Sequence, residues 1–178
     1  MLRVVAFFTY LAAWVVFAIG AAIGALPALR RQAAAAQSIT APTIVGALLQ
    51  VASAMALTLS MPAGPLRPPP LHLAAVIVLA PFGAAVFVWS LRSAREGLVT
   101  TGAYAMLRHP MYLAFLAMLL ATGLLVTAIP RLAIALVIYL VGTELRIAEE
   151  EGELADRYGP EYDQYRHHTR WRYLPFIR

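Results

Sequence analysis

The stretch "LRHPMYLAFLAMLLATGLLVTAIPRLAIALVIYLVGTELR", residues 107–146, contains two long apolar runs that are joined by "TAIP". A helix that crosses a bilayer needs about 20 mostly apolar residues. Because so short a connection separates the runs, we expect them to form a tight antiparallel helical hairpin. Charged residues lie at both outer ends of the stretch, so the hairpin should bring these ends together at one membrane surface.

The composition of the whole chain also indicates that the protein lies in a lipid bilayer. Hydrophobic residues make up 61% and charged residues 13% of the 178 residues, against roughly 45–50% and 25% in soluble domains. A soluble fold of this size has too little interior for so much apolar surface. We therefore predict an all-α fold, a polytopic transmembrane helix bundle of about five spans with a short cytosolic C-terminal helical segment. The predicted spans are residues 4–26, 42–61, 71–91, 111–127 and 131–146.

Charge divides the chain unevenly along its length. Eight of the nine acidic residues fall between Glu144 and Asp163. From Ile147 onward the sequence therefore predicts a helix in water, broken at Gly159 and followed by a second short helix over residues 161–168. All 14 basic residues are arginine, and under the positive-inside rule their distribution places the N-terminus outside and the C-terminus in the cytosol. The arginines that this orientation places in the cytosol, apart from those after the fifth span, are Arg30, Arg31, Arg92, Arg95 and Arg108.

Several classes of function are disfavoured by what the sequence lacks. Without cysteine there is no disulfide, no thiolate zinc site and no thiol nucleophile. The histidines show no metal-ligand spacing, so we expect no metal. The arginines are scattered among the spans without a basic run, which argues against nucleic-acid binding. We expect an integral protein of a bacterial-type inner or cell membrane.

Ionisable residues at the mouth of the hairpin are the candidate site. His109 precedes Pro110, which can begin a helix because its missing N–H would have no partner there. Arg146 and Glu150 are four residues apart and share one helical face, so together they could meet a ligand that carries both charges. Charges at the membrane boundary are functional hypotheses. The alternative is that these charged side chains lie at the membrane surface and only fix the depth of the helices in the bilayer. Arg146 and Glu150 would then form an ordinary intrahelical salt bridge, worth a few tenths of a kcal/mol.

The motifs around this mouth resemble a known family. "GAYAMLRHPMY" (residues 102–112) is followed about thirty residues later by "RIAEEEGELADRYGPEYDQY" (146–165) and a closing "LPF" (174–176). Together they resemble the isoprenylcysteine carboxyl methyltransferase family, whose relatives include phospholipid N-methyltransferases. The resemblance covers roughly residues 95–176 and does not extend to the first two spans.

The resemblance implies an integral-membrane methyltransferase that uses S-adenosyl-L-methionine in a cytosol-facing pocket. Glu150 would contact the cofactor and Arg146 would hold the substrate carboxylate, which makes these two the expected catalytic residues. Because three glutamates stand in a row, the register among Glu149, Glu150 and Glu151 stays open. The chain would divide into residues 1–91, with three spans, and a catalytic region, 92–178. The expected cofactor-binding residues are Glu96, Gly97, Leu98, Val99, Tyr104, His109, Pro110, Met111, Tyr112 and Glu150.

Carboxyl O-methylation of an isoprenylcysteine-like or other lipophilic substrate from the bilayer is the favoured reaction, because a carboxylate is already ionised and needs no general base. N-methylation of an aminolipid is the alternative within the same family, and its ammonium would first have to lose a proton. A non-catalytic membrane module or small transporter is the competing class, although no inverted repeat is evident. A membrane reductase is disfavoured by the absence of a dinucleotide fingerprint.

Overall fold

A computed structural model describes residues 1–35, 40–59, 67–93, 97–127 and 129–176. Within these ranges the chain is helical, without a strand, and the predicted all-α class is confirmed. The helices are α1 (Leu2–Ala35), α2 (Ala41–Thr58), α3 (Pro70–Ser93), a 3₁₀ turn (Gly102–Ala105), α4 (Pro110–Leu125), α5 (Ile129–Tyr158) and α6 (Pro160–His168).

The apolar helices carry the predicted spans. Three of them are long and apolar enough to cross a membrane, namely α2, α3 and the part of α1 over Leu2–Gly20. The shorter α4 is also apolar. The fifth predicted span forms the first half of α5, which continues without interruption through the acidic stretch for 30 residues in all. Proline lies in the first turn of α2, α4 and α6, where it costs no hydrogen bond.

The helices pack in two groups. In the first, α3 packs against both α1 and α4. The rings of Phe17 and Phe87 stack with centroids 4.2 Å apart, and the hydroxyls of Tyr10 and Thr122 lie 2.9 Å apart. In the second group, α5 packs along α2. No motif in the sequence predicted that α2 would be the main packing partner of α5.

Two glycines bring α2 and α5 into close contact. A Cβ atom at Gly46 would lie 2.7 Å from the carbonyl oxygen of Gly142, and a Cβ at Gly142 would lie 2.8 Å from that of Gly46. Both distances are shorter than the 3.4 Å of ordinary van der Waals contact. Glycine at both positions therefore lets the two backbones touch, as small residues commonly do between membrane helices.

The predicted hairpin of α4 and α5 is present and joins the two groups. The Tyr139 hydroxyl of α5 donates a 2.7 Å hydrogen bond to the carbonyl oxygen of Tyr112, near the start of α4. The start of α4 therefore lies beside the second half of α5, as the short connection predicts.

After α6, residues 169–173 form what we call the C-terminal segment, which runs back to the start of α4. The backbone N–H groups of Arg108 and His109 donate to the carbonyl oxygens of Trp171 and Arg172, each at 2.9 Å. The Tyr165 hydroxyl of α6 donates to the carbonyl oxygen of Tyr104 at 2.8 Å. The predicted C-terminal helix over 161–168 is thus confirmed, and the chain beyond it is held at the mouth of the hairpin.

Candidate functional site

A cavity of about 460 Å³ lies between the two helix groups. This volume falls within the range of about 300–1,000 Å³ that is typical of small-molecule sites. One part of its lining is apolar or hydroxylic and comes from α1, α2 and α4. The other part, at the start of α4 and the second half of α5, is charged and aromatic. The apolar part includes Trp14, Val51, Ala54, Phe115, Met118 and Leu119, and the polar part includes Tyr104, His109, Tyr112, Arg146 and Glu150.

His109 lies at the polar end, immediately before Pro110 begins α4. Its side chain is buried, and each ring nitrogen faces a different carboxylate. Nδ1 lies 3.3 Å from Oε2 of Glu150, and Nε2 lies 3.2 Å from Oε1 of Glu151. Only a doubly protonated imidazole can donate from both nitrogens, so this geometry favours the imidazolium form.

Glu150 is the carboxylate that faces the cavity. Its Oε1 accepts hydrogen bonds from the Tyr112 hydroxyl at 2.5 Å and from Nη2 of Arg146 at 3.3 Å. The guanidinium of Arg146 also lies 5.7 Å from the centroid of the Tyr112 ring, within the range of a cation–π contact. Among the residues that the structure describes, the buried Nε of Arg146 has no hydrogen-bond acceptor, so it keeps one unused donor.

The three consecutive glutamates point to three different places. Successive residues of a helix turn by about 100°, and only Glu150 lines the cavity. Glu149 turns towards α2 and accepts a 3.0 Å hydrogen bond from the Thr40 hydroxyl. Glu151 turns away from the cavity and accepts a 2.9 Å bond from Nε of Arg108. The geometry therefore favours Glu150 as the residue that meets a ligand.

The electrostatics of this cluster follow from the same contacts. Burial alone would lower the pKa of His109, but its hydrogen bonds with Glu150 and Glu151 outweigh burial and raise it. Burial would raise the pKa of Glu150, whereas His109, Tyr112 and Arg146 together lower it. The pKa of Glu151 falls to about 2 because its bonds with His109 and Arg108 outweigh burial. These pKa shifts favour an imidazolium between two carboxylates, and both carboxylates are weaker bases than an ordinary glutamate.

The structure brings most of the predicted site residues to one cavity and leaves three outside it. Gly97, Leu98 and Val99 do not contribute to its lining, and Glu96 lies outside the described residues. Arg108 is buried behind the site and binds Glu151 and the C-terminal segment. The predicted residues in the lining are Tyr104, His109, Pro110, Met111, Tyr112, Arg146 and Glu150.

Sequence reasoning missed the contribution of α1 and α2. Trp14 of α1 and Gln50 of α2 both line the cavity, although the resemblance gave no reason to place them there. One signal was available, because a polar amide inside an apolar span is costly and commonly functional. The amide of Gln50 donates a 3.0 Å hydrogen bond to the hydroxyl of Thr143, one turn of α5 before Arg146.

The model of the isoprenylcysteine carboxyl methyltransferase (ICMT) family matches residues 72–156. Over this segment, which is slightly less than half of the chain, the protein is similar to that family. No individual curated protein matches the chain. The match runs from α3 to almost the end of α5, so it includes the whole polar end of the cavity. Together with the apolar helices, this match supports an integral membrane protein related to methyltransferases.

Two parts of the site lie outside the matched ICMT segment. The cavity residues on α1 and α2 precede it, and the C-terminal segment follows it. Within the described residues, no group of three or more histidine, cysteine or acidic side chains is placed to hold a metal ion. The groups that line the cavity include the carboxylate of Glu150, the guanidinium of Arg146, the imidazole of His109, the amide of Gln50, aromatic rings and apolar walls.

Proposed function

We propose that this protein is an S-adenosyl-L-methionine-dependent carboxyl O-methyltransferase that acts on a lipophilic acid from the bilayer, such as an isoprenylcysteine-like compound. One observation carries the proposal: the apolar cavity leads to a mouth where Arg146 and Glu150 lie side by side. The apolar walls would receive the hydrocarbon part of the substrate. The paired charges would receive a carboxylate and a cationic cofactor.

The residues at the polar end fit such a cofactor. Glu150 supplies a negative charge in the cavity wall, and aromatic rings from Tyr104 and Tyr112 flank it. His109, Pro110 and Met111 complete the wall on the α4 side. When bound, the cofactor supplies an electrophilic methyl group on a positively charged sulfur. Glu150 would stabilise that charge by electrostatic attraction. The faces of the aromatic rings would stabilise it by the cation–π attraction that also binds other organic cations.

Arg146 is suited to hold the substrate carboxylate. Its Nη2 is bonded to Glu150, whereas its Nε has no acceptor among the described residues. A carboxylate would satisfy that donor through a charge-assisted hydrogen bond. Because Arg146 lies one helical turn from Glu150, the substrate oxygen would be held beside the cofactor. Rate enhancement of this kind comes mainly from proximity and orientation.

The state of Glu150 favours O-methylation over N-methylation. An ammonium substrate needs a base to remove its proton before it can attack. Both oxygens of Glu150 already face donors, and its pKa is lowered by His109, Tyr112 and Arg146 against the opposing effect of burial. Such a carboxylate is a poor proton acceptor at neutral pH. A carboxylate substrate makes no such demand.

The arginine distribution supports a cytosolic location of the polar end. Arg92 at the end of α3 and Arg108 before α4 lie on the side that the positive-inside rule assigns to the cytosol. S-adenosylmethionine made in the cytosol would then reach the mouth directly, and the lipophilic substrate would enter from the bilayer.

Cofactor binding is the first test. We expect the purified protein in detergent to bind S-adenosylmethionine in a calorimetric titration. Glu150→Gln should weaken binding by tenfold or more. Glu153→Gln, the same change at an exposed position one turn further along α5, should leave the affinity within twofold. Absence of binding by the unmodified protein would refute the proposal.

The second test separates the substrates. With a labelled methyl donor, a prenylated cysteine analogue should give a base-labile ester, whereas phosphatidylethanolamine should give no stable N-methyl lipid. Arg146→Gln should reduce turnover at least a hundredfold and change cofactor affinity far less. Arg92→Gln, at an exposed position on α3, serves as the control. An N-methylated lipid as the sole product would establish the alternative reaction.

A further inference from the structure

Glu151 has as many side-chain partners as Glu150, yet it does not line the cavity. A single oxygen, Oε1, lies 2.9 Å from Nε of Arg108 and 3.2 Å from Nε2 of His109. Nε of Arg172, in the C-terminal segment, lies 3.7 Å from the same oxygen. The side chain of Glu151 is only 16% exposed. One largely buried carboxylate therefore faces three basic side chains.

Arg108 extends this contact to the C-terminal segment. Its Nη1 donates 3.0 Å hydrogen bonds to the carbonyl oxygens of Thr169 and Arg170. The backbone N–H of Arg108 donates to the carbonyl oxygen of Trp171. A buried guanidinium is costly unless it is paired, so the bonds of Arg108 to the segment depend on Glu151 for charge compensation.

A second carboxylate on the same face of α5 completes the attachment. Glu144 lies seven residues, or two helical turns, before Glu151. Its oxygens accept hydrogen bonds from Nη1 of Arg172 at 2.6 Å and from the Tyr173 hydroxyl at 2.9 Å. Ile147, which lies between the two glutamates, is fully buried and packs in a cluster with Tyr173. This face of α5 therefore holds the segment, while the face with Arg146 and Glu150 lines the cavity.

We propose that Glu151 is a positioning residue, which holds the imidazole of His109 against Glu150 and fastens the C-terminal segment to α5 through Arg108. It would touch neither cofactor nor substrate. The inference rests on the proposed function only in naming S-adenosylmethionine as the ligand whose binding depends on His109 and Glu150. Its structural part, the fastening of the segment, stands without any ligand.

The proposal predicts a dependence on pH, because His109 can donate to Glu150 and Glu151 together only while it is protonated. Glu151→Gln would remove one of the two charges that favour the imidazolium, so His109 would lose its proton at a lower pH. The ionisable groups that face this cluster come from the segment before α4, from α4, α5, α6 and from the C-terminal segment. They are Tyr104, Arg108, Tyr112, Arg146, Glu150, Tyr162 and Arg172.

The experiment compares Glu151→Gln with Glu153→Gln, which makes the same change on the same helix at an exposed position. Calorimetric titration with S-adenosylmethionine would be carried out at pH 6 and pH 8. We expect Glu151→Gln to bind at least tenfold more weakly than the unmodified protein at pH 8, with a smaller loss at pH 6. Glu153→Gln should stay within twofold at both values.

A second readout needs no ligand. Trypsin cleaves after arginine, and Arg170 and Arg172 lie within the C-terminal segment. The tryptic release of the end of the chain should be at least fivefold faster in Glu151→Gln than in Glu153→Gln. Arg172→Gln should also accelerate cleavage after Arg170. It should leave the pH dependence of cofactor binding unchanged, because His109 keeps both carboxylates. This variant keeps the proposal testable if Glu151→Gln does not fold.

The two proposals fail in different ways. If the unmodified protein binds no S-adenosylmethionine, the proposed function is wrong and the proteolysis still decides whether Glu151 fastens the segment. If the unmodified protein binds the cofactor and Glu151→Gln matches Glu153→Gln in affinity and in cleavage rate, the positioning role is overturned. The proposed function would then stand.

Discussion

The contact between Gly46 and Gly142 allows a prediction with a matched control on a single helix. In Gly142→Ala the new methyl group would lie 2.8 Å from the carbonyl oxygen of Gly46 and 2.9 Å from Cβ of Leu49. Ordinary contact begins near 3.4 Å, so α2 and α5 would have to separate by about 0.6 Å. Overpacking of this kind costs about 1–3 kcal/mol. In a chain of this size that corresponds to a fall of roughly 2–12 °C in thermal midpoint.

Gly152 on the same helix supplies the control. A Cβ atom there meets nothing within 4 Å, so alanine adds helix propensity without a clash. Glycine inside a helix is less favourable than alanine by about 0.5–1 kcal/mol. Gly152→Ala should therefore raise the thermal midpoint slightly while Gly142→Ala lowers it. Thermal unfolding of both variants, measured in the same detergent, gives the comparison.

The separation of α2 and α5 in Gly142→Ala should also displace residues that line the cavity. Arg146 lies one helical turn after Gly142, and its Cγ would be 2.5 Å from a Cβ at Gly46. Because a misplacement of about 1 Å can cost a hundredfold in rate, we expect Gly142→Ala to lose roughly tenfold or more in methyl transfer. If Gly142→Ala is as stable and as active as Gly152→Ala, the close approach of α2 and α5 is wrong.

Three further perturbations test other contacts. Tyr112→Phe removes the 2.5 Å hydrogen bond to Glu150, so cofactor affinity measured by calorimetry should fall by about three- to tenfold, and an unchanged affinity would contradict that role. Burial would raise the pKa of Glu151, but His109 and Arg108 hold it at about 2, below its ordinary value of 4.5. The charged form therefore stabilises the fold above about pH 4.5, and stability should be lost as the pH falls from there towards about 2. Glu151→Gln should flatten this loss in thermal midpoints recorded between pH 6 and pH 3, and parallel curves would exclude the contribution. Phe87→Ala removes a fully buried ring and should destabilise the fold by about 3–5 kcal/mol. Thermal unfolding would measure this loss, and only a small fall in the thermal midpoint would refute the prediction.

The fold was predictable where a single helix carries its own signal. The apolar runs defined α2, α3 and α4 to within a few residues, whereas α1 continues nine residues beyond the predicted end of the first span at residue 26. The prolines marked where α2, α4 and α6 begin. The packing of α5 along α2 was not predictable, because it depends on Gly46 and Gly142. Glycines are common in membrane helices, and nothing in the sequence pairs these two.

At the polar end of the cavity, the meeting of His109 with Arg146 and Glu150 was predictable from spacing, whereas Tyr104 and Tyr112 were expected from the family resemblance. His109 and Glu150 come together because a short hairpin returns α5 to the start of α4. The lining from α1 and α2 was not predictable, since an apolar residue such as Trp14 has the same sequence signature whether it faces lipid or a cavity. The distinct role of Arg108 was also hidden, because its partners Thr169 and Arg170 lie about sixty residues further along the chain.

The triplet Glu149, Glu150 and Glu151 has a consequence for how the sequence can change. Each carboxylate has its own partner, on α2, in the cavity or beside Arg108, so the three are not interchangeable copies. Insertion or deletion of one residue in α5 just before them would rotate all three by about 100° and give every carboxylate the wrong neighbour. A point substitution there would disrupt one partnership, whereas a change of length would disrupt all three at once. Tolerated length variation should therefore lie outside the helix, in the connections that precede or follow it.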